Sequence, residues 1–414
     1  MLFGALLKHV VERGSLRVID ARGRSWTFGD GTGRPLTVRL HDRGLHLGLA
    51  INPYLRLGEA YMDGTLTIDA PGDIYDLLDL VLGNLGTSYP SAAFKLYAAL
   101  RRAKRRIDQH NPIGKAQVNV AHHYDLDGGI YDLFLDADKQ YSCAYFAHPG
   151  MSLEEAQLAK KRHIATKLMI EPGMRVLDIG CGWGGLALTL AEETGAEVVG
   201  VTLSREQHKV ACARAEEHGL ARRVQFHLQD YRTLEPSFDR IVSVGMFEHV
   251  GVGHYPEYFN AVERLLAPSG IALIHTIGRL DPPGATNPWI AKYIFPGGYI
   301  PALSEMASAV ERTGLFMTDL EVLRLHYAET LREWRRRFAA RRDAAARIYD
   351  ERFCRMWEFY LAGSETSFRH EGMVNFQLQL ARRIDALPLT RDYMYAHERN
   401  ADALAARPRL RVGE

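Results

Sequence analysis

An α/β fold is predicted for this chain: a doubly wound parallel sheet preceded by a smaller α+β domain. Three observations predict it. From about residue 160, apolar strands of five or six residues alternate with helical segments, and such alternation builds a parallel sheet with helices on both faces. Before about residue 90, apolar residues repeat at period two between turn signals, the pattern of a small sheet with one buried face. The length, 414 residues, also exceeds one ordinary domain.

The elements follow in chain order. The opening MLFGALLKHVVERGSL carries apolar residues near helical spacing. Leu16 and Val18, Trp26 and Phe28, Leu36, Val38 and Leu40, and then Leu45, Leu47 and Leu49 each alternate. Gly29-Asp30-Gly31 and Asp42-Arg43-Gly44 supply turns between these strands. LGEAYMDGTLTI (57–68) adds a turn and another strand, and 74–85 reads as a helix, which places an α+β domain at 1–90. Residues 91–120 form a basic helical linker in which 92–106 ends in Arg101, Arg102, Lys104, Arg105 and Arg106. Cations there suit a helix C-terminus and equally suit anionic lipid headgroups. Residues 121–395 make the third unit. Its strands are 175–179, 197–202, 224–228, 240–244 and 271–277, with helices at 185–193, 207–217 and 258–266. A later stretch, 331–346, sets Trp334 and Phe338 among arginines and reads as a solvated amphipathic helix. Ligands of such sheets bind beyond the carboxyl ends of the strands, so strand-end residues are the site candidates.

Composition narrows the function classes. Lys and Arg number 51 against 50 Asp and Glu, which speaks against nucleic-acid binding. No apolar run reaches the roughly 18 residues of a membrane span; the longest, 73–86, is interrupted by Asp76 and Asp79. The N-terminus lacks the basic region and cleavage site of a signal peptide. Cys143, Cys181, Cys212 and Cys354 are scattered, without a CxxC pair. That spacing predicts no disulfide framework and no metal site, and suits a cytoplasmic protein.

The strand Val176-Leu177-Asp178-Ile179 runs into Gly180-Cys181-Gly182-Trp183-Gly184-Gly185 and then a helix. The glycines let the backbone turn sharply and approach a ligand closely. Dinucleotide enzymes use a similar turn, but with GxGxxG spacing and an acidic residue ending the next strand to bind ribose. Here the next strand ends Val201-Thr202-Leu203-Ser204, with no acid, so Thr202 and Gln207 are the neutral candidates for the ribose. Asp178 before the loop suits a cation, such as the ammonium of a sulfonium nucleoside, and would repel a pyrophosphate. Asp230 and Tyr231 end the following strand, where a carboxylate can accept from an adenine amino group and a ring can pack on the base. Each residue alone is explained equally well as a cap or turn former. The ordered set points to S-adenosylmethionine.

YDLFLDADKQYSCAYF (131–146), VLDIGCGWGGLA (176–187), VVGVTLSREQ (198–207), DRIVSVGMFEHVG (239–251), LIHTIG (273–278), WIAKYIFPGG (289–298) and HYAETLREW (326–334) occur in one order along the chain. With them the chain resembles the cyclopropane-fatty-acyl-phospholipid synthases and, more distantly, the mycolic acid cyclopropane synthases. LGEAYMDG (57–64) resembles the N-terminal domain of the phospholipid branch. The resemblance covers about 115–380; the linker before Tyr131 is longer, and the tail beyond Asp385 has no counterpart. It implies a class I methyltransferase-like fold, with cofactor contacts at Tyr141, Ser142, Gly180, Gly182, Thr202, Gln207, Asp230 and Tyr231. It also implies a bicarbonate or carbonate ion held by Cys143, Glu248, His275, the Ile277 backbone and Tyr327. Peripheral attachment to the inner face of the membrane and a homodimer are further family expectations.

The chemistry gives these groups a reason. An alkene is a weak nucleophile, and its attack on a sulfonium methyl leaves a carbocation on the lipid chain. Loss of a proton from the new methyl group closes a three-membered ring. The enzyme therefore needs a dry apolar channel, a site that tolerates positive charge, and a nearby base. Glu248 and His275 end consecutive strands, and Ile277 shares a face with His275. The aromatic run after the strand, with Phe247, Tyr293, Ile294 and Phe295, suits an acyl channel and equally suits a core. Two other readings stand beside cyclopropanation. A fatty-acyl C-methyltransferase giving a methyl-branched or methylene chain shares the same carbocation, and a non-catalytic lipid-binding protein would use the N-terminal sheet.

Overall fold

The computed structural model describes residues 2–85, 129–235 and 237–396. The basic linker at 91–120, with Arg101, Arg105 and Arg106, lies outside the described residues.

Helix α1 (Leu2–Val10) precedes strands β1 (Leu16–Ile19), β2 (Ser25–Phe28) and β3 (Leu36–Leu40), which with β4 (Leu66–Ile68) form a sheet in the order β2-β1-β3-β4. The segment holding Leu45, Leu47 and Leu49 is helix α2 (Leu45–Ile51), not a strand. Leucines at i, i+2 and i+4 satisfy both periods. Leu45 and Leu49 are buried while Leu47 is 56 % exposed, so it is the i, i+4 pair that faces the core. Helix α3 (Pro53–Met62) likewise occupies the first half of the segment read as a turn and strand, with Pro53 at its first turn, where a missing N–H costs nothing. Helix α4 (Ile74–Leu85) falls where it is predicted.

The second sheet has the order β10-β11-β9-β8-β5-β6-β7. Its parallel part is β5 (Arg175–Ile179), β6 (Glu197–Thr202), β7 (Val224–Leu228), β8 (Phe238–Val244) and β9 (Leu266–Arg279). Helix α5 (Leu153–Leu168) precedes the sheet, and α6 (Gly185–Thr194), α7 (Arg205–Glu217) and α8 (Tyr255–Leu265) connect its strands. The order reverses between β5 and β8, so the crevice beyond their carboxyl ends lies at the switch point. Helices α9 (Pro288–Tyr293) and α10 (Leu303–Val310) follow β9. Two further strands, β10 (Phe316–Leu323) and β11 (Met373–Ala381), extend the sheet, with β11 antiparallel to both neighbours.

Between them run α11 (His326–Ala340), α12 (Arg342–Ile348) and the long α13 (Glu351–His370). The Arg-rich stretch thus breaks at Arg341. Trp334 and Phe338 are buried, and three of the arginines pair with acids from other segments: Arg335 with Glu365, Arg337 with Glu154, and Arg342 with Glu358 and Glu351. Among the described residues no helix is long and apolar enough to cross a membrane.

Helix α13 joins the two sheets by packing on α4, α3 and α11. Gly58 of α3 makes this approach possible, because a Cβ there would sit 2.4 Å from the Trp289 indole and 2.9 Å from Phe359. Polar ties cross the same seam. Glu59 accepts from Lys292 at 2.7 Å and from the Tyr293 hydroxyl at 3.0 Å, and the Tyr61 hydroxyl donates to Glu358 at 2.9 Å.

Candidate active site

Strand β5 delivers Asp178 and then the glycine loop. The loop is pinned by the N–H groups of Gly180 and Cys181, both donating to the Val201 carbonyl at 2.9 and 3.0 Å. Gly180 and Gly184 have φ of +82° and +84°, and a Cβ on Gly184 would meet Phe226 at 2.7 Å. Both positions therefore require glycine. The loop faces a cavity of about 160 Å³. Tyr141, Ser142, Asp178, Gly180, Gly182, Thr202, Gln207, Asp230 and Tyr231 all line it, so the nine residues singled out in the sequence are brought to one place.

Their local states differ. Asp178 is 1 % exposed, burial pushes its carboxyl up to about 7, and its Oδ2 has no partner. A buried oxygen with no donor is costly unless a ligand supplies one. Thr202 Oγ1 donates to Gln207 Oε1 at 2.9 Å, so the two neutral groups act as a joined pair. Asp230 accepts from Arg232 through both oxygens, at 2.9 and 2.7 Å, and keeps its remaining lone pairs for a ligand donor. Tyr231 packs edge-on against Tyr258, 5.5 Å between centroids. The Tyr141 and Tyr360 hydroxyls lie 2.8 Å apart. Ser142 Oγ accepts from Lys160 Nζ at 2.9 Å.

A larger cavity of about 340 Å³ adjoins the first, with Tyr141, Ser142, Gly245 and His249 lining both. Cys143, Glu248, His275, Ile277 and Tyr327 all line it. Glu248 stands on a short turn of helix after β8, and its Oε1 accepts the Ile277 N–H at 2.7 Å. The Ile277 N–H is thereby committed to Glu248, and would act on a bound anion through that carboxyl. Burial raises the Glu248 carboxyl to about 7, and its Oε2 is buried without a partner. Burial lowers His275 to about 3, which keeps the ring neutral, and pushes the Cys143 thiol up so that it stays protonated. Tyr327 is packed between Trp334 and Phe368. The wall thus offers a thiol, a carboxyl that can carry a proton, an imidazole and a phenol: neutral donors that fit a small oxyanion.

From this cluster the cavity runs among apolar side chains of the first sheet and its helices, including Leu7, Val18, Leu40, Leu66 and Leu78. Of the four aromatic-run residues proposed for a channel, Phe295 lines it. Phe247 is instead stacked on Tyr255 inside the sheet core, 4.3 Å between centroids, and Tyr293 binds Glu59 at the seam. The apolar lining comes mainly from the N-terminal leucines and valines.

Several residues in or behind these walls carry no sequence signal of their own. His249 is partly buried, and desolvation lowers it to about 4. Lys160, 0 % exposed and lowered to about 8, holds Ser142 and Gln140 from behind. Asn375 reaches the cavity from β11. A lysine in a helix reads as a solvated face until the fold buries it.

The sequence profile of the family described as "Mycolic acid cyclopropane synthetase" matches residues 113–378. The chain belongs to this family. The cyclopropane-fatty-acyl-phospholipid synthase of Escherichia coli (strain K12) is a relative, 42 % identical over 331 residues, 80 % of this chain and 84 % of its own. A probable fatty acid methyltransferase of Pseudomonas putida is 41 % identical over 392 residues, 87 % of this chain and 96 % of its own. Among solved structures, the mycolic acid cyclopropane synthase CmaA1 complexed with SAH and CTAB superposes with a TM-score of 0.61 at 33 % identity, covering 66 % of this chain and 100 % of its own. The mixed sheet with flanking helices is the family's methyltransferase fold, and the ordered motifs quoted above lie within the matched span apart from LGEAYMDG.

Proposed function

We propose that this protein transfers the one-carbon unit of S-adenosylmethionine to the cis double bond of unsaturated acyl chains of membrane phospholipids, giving cyclopropane fatty acyl chains. The observation that carries this reading is the junction of the two cavities. A pocket built on the glycine loop and Asp178 shares a wall with a larger, mainly apolar cavity whose lining includes Cys143, Glu248, His275 and Tyr327. A charged nucleoside and a hydrocarbon chain can meet only at such a wall.

S-adenosylmethionine supplies an electrophilic methyl on a sulfonium. In this reading Asp178 receives its ammonium group, Thr202 and Gln207 its ribose, and Asp230 and Tyr231 its base. The tunnel excludes water from the lipid cation, and π-rich and sulfur groups such as Tyr327 and Cys143 tolerate its charge. Bicarbonate supplies a small base when bound. Glu248, protonated up to about pH 7, donates to it through Oε2, and His275 donates from its ring. The lipid's proton then leaves by exchange at Glu248, whose carboxyl passes its own proton outward and takes up the new one, while the neutral His275 ring remains a donor.

The reading divides the chain into an acyl-binding unit at 1–90, a basic linker at 91–120 and a catalytic unit at 121–395. It places a homodimer peripherally on the inner face of the membrane. Leu47 and Ile51, 56 % and 70 % exposed on α2 beside the tunnel-lining Leu49 and Pro53, support attachment of that face to lipid. The relative in Pseudomonas putida supports a second reading, a fatty-acyl C-methyltransferase. Methyl-labelled S-adenosylmethionine and unsaturated phospholipid vesicles test both. Upfield cyclopropyl protons in the product lipid are expected; olefinic methylene or methyl-branch signals select the second reading, and absence of label from acyl chains removes both.

A further inference from the structure

One face of β11, the strand paired with β9, carries an unusual row. Asn375, Gln377 and Gln379 are each no more than 1 % exposed, although alternating amides on a strand normally mark a solvated side. Two of them bracket His275. Gln377 stands directly opposite it across the ladder, and Asn375 opposite Ile277. Gln377 Nε2 lies 3.1 Å from His275 Nδ1, and Asn375 Nδ2 lies 3.1 Å from His275 Nε2. A neutral imidazole accepts at one nitrogen and donates from the other, so both carboxamides cannot present NH2 groups to it.

The chain beyond Gln377 decides which one does. Lys167 Nζ donates to Gln377 Oε1 at 2.8 Å and is ion-paired with Glu321, which also takes the ring of His163. An ammonium has no acceptor, so Gln377 must keep its oxygen toward Lys167 and its NH2 toward His275 Nδ1. We propose that Lys167 and Gln377 are positioning residues that fix the proton of His275 on Nε2, the nitrogen on the side of Asn375 and the catalytic cavity. Asn375 then accepts that proton with Oδ1, which otherwise stands buried without a partner, and turns its own NH2 into the cavity wall. Asn375 and His275 line the tunnel, whereas Gln377 and Lys167 lie behind it. The imidazole therefore keeps N–H, not a lone pair, on the cavity side, where a three-centre bond reaches both Asn375 Oδ1 and an anion beside Glu248. The use of that N–H in turnover rests on the reaction proposed above; the position of the proton does not.

Long-range proton–nitrogen correlation spectra of the full chain labelled with 15N-histidine read the tautomer directly, with His275 assigned by its loss in His275→Gln. Wild type is expected to show a protonated Nε2 and an acceptor-type Nδ1. Lys167→Met frees Gln377 to turn over, so both tautomers appear; Gln377→Glu replaces the donor with an acceptor and moves the proton to Nδ1. In both variants kcat should fall about tenfold or more while KM for S-adenosylmethionine stays within about twofold. A protonated Nδ1 in wild type overturns the proposal even if neither variant folds. So does an unshifted proton in Gln377→Glu, or unchanged kcat in a variant whose tautomer has moved. Nε2 protonation in a protein that modifies no lipid would count against the proposed reaction and leave the tautomer assignment standing.

Discussion

Asp178 and Glu248 are two carboxyls that burial alone holds near pH 7. For Asp178 the folded protein without ligand binds its proton more tightly than the unfolded chain, whose carboxyl sits at the ordinary 3.8. Stability contributed through this group is therefore lost as pH rises from about 4 through about 7. A ligand ammonium reverses the preference, because it binds only the ionised form. Affinity for S-adenosylhomocysteine is expected to climb by up to about tenfold per pH unit below 7 and to level off above it, with proton release measurable by calorimetry in two buffers. Asp178→Asn should flatten that slope. Glu248→Gln retains an acceptor for the Ile277 N–H but has no acidic proton to exchange, so kcat should drop by about a hundredfold or more with the fold intact. Cys143→Ser, replacing one neutral donor with another, should stay within about tenfold of wild type. Such residues were legible in the sequence because the chemistry names them: a carboxylate before a glycine loop, a Glu and a His at successive strand ends. Their electrical states were not. Those depend on how many apolar side chains surround each one, and distant segments set that number.

Elements were legible where period and punctuation agree. The strands and helices of the parallel sheet have continuous apolar runs bounded by Gly, Ser or charged turns, and their predicted ranges fall within a few residues of the observed ones. Leu45, Leu47 and Leu49 satisfied two periods at once, and only burial of the i, i+4 pair decides for helix. The antiparallel pair β10 and β11 gave no clear signal, because Asn375, Gln377 and Gln379 put polar groups where a buried strand should be apolar. Their partners, His275 and Lys167, come from segments about a hundred or more residues away and cannot be paired from sequence. Helix α3 supplies a test of packing. Ala at position 58 would gain about 0.5–1 kcal/mol from helix propensity, yet its Cβ meets Trp289 at 2.4 Å, and overpacking of this kind costs about 1–3 kcal/mol. The clash outweighs the propensity. Gly58→Ala should destabilise and Gly58→Val more so, read as a lowered urea midpoint with an unchanged slope.

The whole molecule is held by a seam rather than a hinge. Helices α3 and α4 lie on α13, Trp289 inserts beneath Gly58, and the tunnel takes its walls from both sheets. Opening the seam would expose that lining to water, so heating the chain should give one calorimetric transition with matching van't Hoff enthalpy; two resolved peaks would show the sheets to be independent. The partition formed by Tyr141, Ser142, Gly245 and His249 has a kinetic meaning. In the proposed reaction each chamber takes its own reagent, and neither has to be emptied for the other to exchange. The two reagents, one water-loving and one greasy, can arrive and leave in either sequence. Under the proposed reaction, spent nucleoside can be swapped while a hydrocarbon tail remains seated, so reloading one chamber does not wait on the other.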